Sequence, residues 1–292
     1  MYRVRKLINC SYAHQKGITG KKICIVIIDS GIYPHKDFIL PKNRLLHFVD
    51  FSQSDHHSSL PYDDFGHGTH VTGIACGNGY LSQGRYSGIA PGSLIISIKA
   101  LDKNGSCSLP NMTRAINWVC RNKNLYNIKI INLSFGSNYS YDFPESTVLL
   151  KAIEAAWSLG ITVVAAAGNS GPHKGSITFP GTSKKIITVG SSDAPGSGKI
   201  YSGCGPTREC IKKPDITAPS NNIISCISGG LYTPKNGTSM SVPIVTGAIA
   251  LLMQASPGIT NKEIKSLLLE RSTPVPSSSD TAGMLDIRRL LM

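Results

Sequence analysis

The chain has 292 residues, 41% apolar and 16% charged, with 29 glycines. That balance excludes a disordered or fibrous chain and allows a large core without disulfide or metal staples. The net charge of +13 comes from Lys and Arg scattered in runs of no more than two, which argues against a phosphate-tracking nucleic-acid surface and leaves a long-range bias toward acidic partners.

Eight cysteines include no C-x-x-C pair, so zinc-ribbon and thioredoxin-like readings have no support. Residues 1–20 carry charges and polar groups throughout, with no apolar core and no cleavage signal. A cytoplasmic protein with free thiols is therefore expected, a secreted mature fragment being the alternative. No stretch approaches the roughly 20 apolar residues that cross a bilayer.

In chain order, residues 1–16 read as an N-terminal extension that is not a pro-domain. The β-branched run 23–28 predicts a buried strand ending in Asp29-Ser30-Gly31. His67 follows between two glycines in Asp64-Phe65-Gly66-His67-Gly68-Thr69-His70. Residues 93–100 and 129–133 predict two more strands, the latter ending in Ser134-Phe135-Gly136, and 110–121 and 147–159 have helical spacing. Residues 161–167 predict a strand ending in Gly168-Asn169-Ser170-Gly171, and 185–189 a fifth. Residues 246–255 carry almost no polar side chain, which requires a helix buried on most faces, and Pro243 suits its first turn. An amphipathic helix is expected at 260–269. The alternation predicts an α/β fold, a mostly parallel twisted sheet with helices on both faces, with 1–292 as a single domain. Gly196-Ser197-Gly198-Lys199 looks like the end of a phosphate loop, but Asp193 and Ile200 break the pattern at both ends.

Ligand sites of such sheets gather beyond the carboxyl ends of the strands, where Asp29, Ser134 and Asn169 fall. Ser239 precedes the apolar helix, among unpaired N–H groups that can stabilise an anion, or serves only as a helix cap. His67 can be a loop histidine or half of a metal pair with His70, although H-E-x-x-H is absent. Asp29 can be a cation ligand or a cap. Taken together, a hydroxyl, an imidazole and a carboxylate are the parts of an activated serine nucleophile.

The order Asp29…His67…Ser239 is that of subtilisin rather than of chymotrypsin or the α/β-hydrolases. Ile25-Val26-Ile27-Ile28-Asp29-Ser30-Gly31-Ile32, Gly66-His67-Gly68-Thr69-His70-Val71-Thr72-Gly73 and Gly237-Thr238-Ser239-Met240-Ser241-Val242-Pro243 resemble the aspartate, histidine and serine motifs of the subtilisin-like serine proteases. The resemblance runs from about residue 17 to the end. It implies a three-layer fold and a serine endopeptidase acting through an acyl-enzyme, with Asp29, His67 and Ser239 catalytic. Asn169, the Ser239 N–H and the Thr238 hydroxyl would form the oxyanion hole.

The same resemblance implies a substrate held as an extended strand between Gly105-Ser106-Cys107 and Ser134-Phe135-Gly136. An S1 pocket would be walled by Ser134, Phe135, Gly136, Ala166, Ala167 and Gly168 with Thr178 at its base, and Leu109, Met112 and Phe135 would line an apolar S4. No acid falls on the S1 walls, so apolar or uncharged P1 residues are expected. No cofactor is expected for catalysis. A structural calcium finds no support in residues 76–85, which are glycine-rich and lack carboxylates. The expected partner is a peptide or protein substrate, processed generally or as a dedicated precursor. Neither nucleic acid nor a membrane span is expected, and a monomer is favoured. The competing functions are a non-catalytic peptide-binding relative and an esterase or acyl transferase using the same site.

Overall fold

Six consecutive buried residues, Cys24–Asp29, form β1, apolar on both faces until the final carboxylate. Such a strand belongs inside a parallel sheet covered from both sides. The computed structural model describes residues 1–52, 60–136, 144–193, 202–274 and 282–292, which leaves the sequence 196–199 outside. Around β1 lie β2 (Leu45–Asp50), β3 (Leu94–Lys99), β4 (Ile128–Leu133), β5 (Thr162–Ala166), β6 (Ile187–Ser191) and β7 (Ile216–Ala218). Their order is β2-β3-β1-β4-β5-β6-β7, with every pairing parallel.

From β1 the chain crosses to β2 and back to β3 on one side, then passes to β4 on the other side of β1. At such a switch point the connections diverge and leave a crevice above the strand ends. Asp29 closes β1 at that crevice, in register with Lys99 at the end of β3.

Helices α4 (His67–Cys76) and α7 (Thr238–Ala255) pack on each other, α4 against β1 and α7 against β4 to β7. Helices α5 (Leu109–Asn122) and α6 (Pro144–Ser158) pack together, with α6 against β5. The layers make a three-layer subtilisin-like α/β fold. In α7, Val242, Ile244, Val245, Ile249 and Leu251 are each fully buried, and each such aliphatic side chain contributes about 1.5–3 kcal/mol. Among the described residues α7 alone is long and apolar enough to cross a bilayer, and 83% of it is buried within the protein.

The structure corrects the expected start of α7. It begins at Thr238, so Pro243 lies inside the helix rather than in its first turn. Lacking an N–H, Pro243 leaves the Ser239 carbonyl without its helical donor. Other elements carried no clear periodicity: α1 (Tyr2–Leu7), α2 (Ser11–Gln15), α3 (Lys36–Ile39), the edge strands β2 and β7, and an antiparallel hairpin of β8 (Ile223–Ile227) and β9 (Leu231–Lys235).

Candidate active site

Asp29 is almost fully buried, and its Oδ1 accepts from the Ser30 N–H at 2.7 Å and faces His67 Nδ1 at 2.8 Å. A carboxylate only accepts, so Nδ1 carries the proton and Nε2 is the free lone pair. Burial alone would pull the His67 pKa down. The Asp29 charge and hydrogen bond outweigh it, and the pKa stands above the ordinary 6.5.

His67 is the first residue of α4, and Gly68 lets the helix reach β1. A Cβ at Gly68 would lie 2.2 Å from the Gly31 carbonyl oxygen. Asp63 pins this approach. Its Oδ1 accepts from Ser30 Oγ at 2.8 Å and the Gly66 N–H at 2.7 Å, and its Oδ2 from the Thr69 N–H at 2.8 Å and from Thr69 Oγ1. Burial would raise the Asp63 pKa, but these donors hold it below the usual carboxylate range. Beneath the same turn, the buried Lys99 ammonium donates to the carbonyls of Ser30 and Leu101, both at 2.9 Å, and to Asp64 at 2.6 Å. Neither residue's role was legible in the chain, because each depends on which elements abut. His70 is not a partner of His67 in a metal pair: its Nε2 meets the Thr233 carbonyl at 2.9 Å, and burial lowers its pKa to about 3.

A cleft of about 340 Å³ opens beside His67. Of the expected site residues it is lined by His67, Gly105, Ser134, Phe135, Gly136, Ala166, Gly168, Asn169, Thr178, Thr238 and Ser239, joined by Phe65, Leu101 and Ser170. Among the described residues no Asp or Glu lines it. Thr178 fills the space between two walls, since a Cβ at Gly136 or Gly168 would come within 2.2 Å of its hydroxyl oxygen. Glycine is needed at both places for that close approach, and Gly168 also takes a left-handed φ of 91°.

Several expected residues lie elsewhere. Ala167 is fully buried and its carbonyl accepts from the Thr178 N–H at 2.9 Å. Leu109 and Met112 belong to the apolar face of α5 and are buried among core residues. Ser106 and Cys107 do not line the cleft; the Ser106 carbonyl accepts from the Asp102 N–H at 2.8 Å, and the Cys107 thiol donates to the Ser108 carbonyl at 3.2 Å.

Thr238 also departs from expectation. Its hydroxyl and its N–H both donate to Asn169 Oδ1, each at 3.0 Å. A hydroxyl has one proton, so this one orients Asn169 and is not left for an oxyanion. The Ser239 N–H, in the first turn of α7, meets no acceptor among the described residues.

Among the described residues His35, Asp37 and Cys226 are the one group able to converge on a metal ion. Calcium needs several oxygens, and here the single carboxylate is already engaged. Tyr232 Oη donates to it at 2.9 Å and the Leu81 N–H at 3.0 Å, while the Cys226 thiol lies 3.6 Å away. The buried Arg44 guanidinium stands alongside, donating to the carbonyls of Asp37, Cys76 and Ser93. Burial and the Asp37 charge push the Cys226 thiol far up, away from the thiolate that a softer metal requires. These residues do not fit a metal.

Residues 20–284 match the sequence profile described as Peptidase_S8, Subtilase family. The chain is 38% identical over 277 residues to Serine protease AprX of Bacillus subtilis (strain 168), covering 86% of this chain and 61% of that protein. It is 34% identical over 260 residues to Minor extracellular protease Epr of the same strain, covering 88% of this chain and 36% of that protein. It therefore spans less than two thirds of either relative. The solved structure of Sphericase superposes with a TM-score of 0.79 at 27% identity, over 92% of this chain and 91% of the other.

The expected cytoplasmic location is corrected by these relatives, one of which, Epr, is named an extracellular protease. That expectation rested on residues 1–20. Val4, Ile8 and Ala13 of that stretch are buried in the core, and packed residues report stability rather than destination.

A profile match across most of the chain, relatives at more than 30% identity and a parallel-sheet α/β fold that superposes on solved subtilisin-like proteinases agree: the chain belongs to the subtilase family of serine-type peptidases.

Proposed function

We propose that this chain is a serine endopeptidase in which Ser239 attacks the scissile carbonyl, His67 Nε2 takes the hydroxyl proton, and Asp29 holds and stabilises the imidazolium. The observation that carries this reading is the 2.8 Å contact between Asp29 and His67, with His67, Ser239 and Asn169 lining one cleft. A serine hydroxyl is a poor nucleophile until a base accepts its proton, and a buried carboxylate supplies the tautomer and the counter-charge. The Asn169 amide and the Ser239 N–H are the donors for the developing oxyanion. His67 then gives the proton to the leaving amine, and a water, deprotonated in the same way, attacks the acyl-enzyme ester to release the acid and the Ser239 hydroxyl.

The substrate lies extended along Gly105 and residues 134–136, paired through its backbone, with P1 in the cleft against Thr178. That no described residue of the lining is an acid favours an apolar or uncharged P1. An extended groove favours peptides over small esters, and an intact nucleophile and base favour hydrolysis over passive binding.

The test is labelling with a fluorophosphonate together with hydrolysis of a quenched peptide library. Wild type should be labelled and active. Ser239→Ala should lose the label and several orders of magnitude in kcat. Equal activity in that variant would refute the assignment.

A further inference from the structure

β9 ends at Lys235, just upstream of Ser239, and its hairpin partner β8 packs on α4. The cleft walls at 134–136 and 166–168 instead continue β4 and β5. The Lys235 ammonium thus flanks His67 on the hairpin side, 3.3 Å from the Gly66 carbonyl and 5.9 Å from the centre of the Phe65 ring. That ring lines the cleft and lies on Gly105, where a Cβ would approach it to 2.6 Å. Phe65 therefore packs on the Gly105 turn and lies near the ammonium.

Among the described residues, no carboxylate comes within ion-pair distance of Lys235. The nearby acids are engaged elsewhere, Asp29 with His67 and Asp63 with Ser30, Gly66 and Thr69. The ammonium is half-buried, so its charge is poorly screened, and it is felt at His67, where it opposes protonation. An unpaired, partly desolvated cation at the lip of a cleft attracts an anion from whatever is bound there.

The direction of the substrate decides which residue that is. With the acyl side laid along Gly105 and residues 134–136, the chain beyond the scissile bond has to leave past His67 and Ser239 toward the hairpin. We propose that Lys235 makes this peptidase select an acidic residue immediately after the scissile bond, the P1′ side chain pairing with its ammonium. This rests on the serine endopeptidase reading above.

The experiment uses quenched peptides identical except for Asp, Asn or Lys at P1′, with the cleaved bond verified by mass spectrometry. Wild type, Lys235→Met and Lys235→Glu are compared by the ratio of kcat/KM for Asp over Lys within each protein, so that any general loss in a variant cancels. Wild type should favour Asp by about fivefold, the scale of one solvent-accessible ion pair. The preference should shrink in about 1 M NaCl, vanish in Lys235→Met and reverse in Lys235→Glu. A wild type indifferent to P1′ charge, or an unchanged ratio in Lys235→Met, overturns the proposal. A wild type that cleaves none of the peptides and takes no fluorophosphonate label sinks the peptidase reading instead.

Discussion

The Thr238 hydroxyl donates to Asn169 Oδ1 at 3.0 Å, and the Thr238 N–H reaches the same oxygen at the same distance. Two donors on one oxygen fix the amide plane and leave Nδ2 as the free donor at the cleft. Asn169→Ala should lower kcat by about 10²–10³ with little change in KM. Thr238→Val should cost only about fivefold, one hydrogen bond's worth, and nothing further in the Asn169→Ala background. Steady-state kinetics on the two single variants and the double variant check this; additive losses would mean that Thr238 acts on the oxyanion directly.

The raised pKa of His67 sets the acid limb of the pH profile. The base works only when neutral, so kcat/KM should rise with pH around a midpoint above 6.5. Lys235→Met removes a charge that opposes protonation and should move the limb further up. Asp29→Asn should move it down and cost about 10⁴ in rate, since the imidazole loses both tautomer and counter-charge. The same shift has a stability consequence. The folded protein binds this proton more tightly than the unfolded chain, so the pair's contribution is full below 6.5 and fades as pH rises through the raised value.

Thr178 and Gly136 should control how large a P1 residue the cleft accepts. A Cβ at Gly136 would meet the Thr178 hydroxyl at 2.2 Å and push one of them into the cleft. Gly136→Ala is therefore expected to lower kcat/KM for P1 Phe much more than for P1 Ala. Measuring the Phe-to-Ala ratio in wild type and variant checks the direction, and an unchanged ratio would place P1 elsewhere.

Among the described residues the one group able to converge on a metal ion, around Asp37, already has the Arg44 guanidinium alongside, donating to the Asp37 and Cys76 carbonyls. The melting temperature should accordingly be the same in EDTA and in millimolar calcium. Arg44→Met strands buried carbonyls and should cost about 3 kcal/mol or more. Arg44→Lys should rescue little, because a single ammonium cannot reproduce the planar fork that spans them. A chelator-sensitive melting curve would contradict this account.

How much of this was legible beforehand varies with the kind of residue. β1, β3, β4, β5 and β6 were visible as apolar runs because strands buried on both faces need no polar alternation. β2 and β7 were not, being edge strands, the first with mixed burial and the second only three residues long. The β8–β9 hairpin was missed because Pro234 and the paired glycines before Leu231 read as loop. Asp29, His67, Asn169 and Ser239 were found through motifs whose order along the chain already implied a chemistry.

What the amino-acid sequence determined alone was the inventory of reacting groups and the parallel sheet that would carry them, since hydrophobic period and residue type are local properties. Only the tertiary structure decided which groups support them. Asp63 and Lys99 became braces for the His67 turn, Thr238 an orienter of Asn169, Arg44 the charge beside Asp37, and Lys235 an unpaired cation at the cleft. Each role depends on elements distant in the chain that meet in space, and a hydrogen bond or a field is set by that distance rather than by sequence separation.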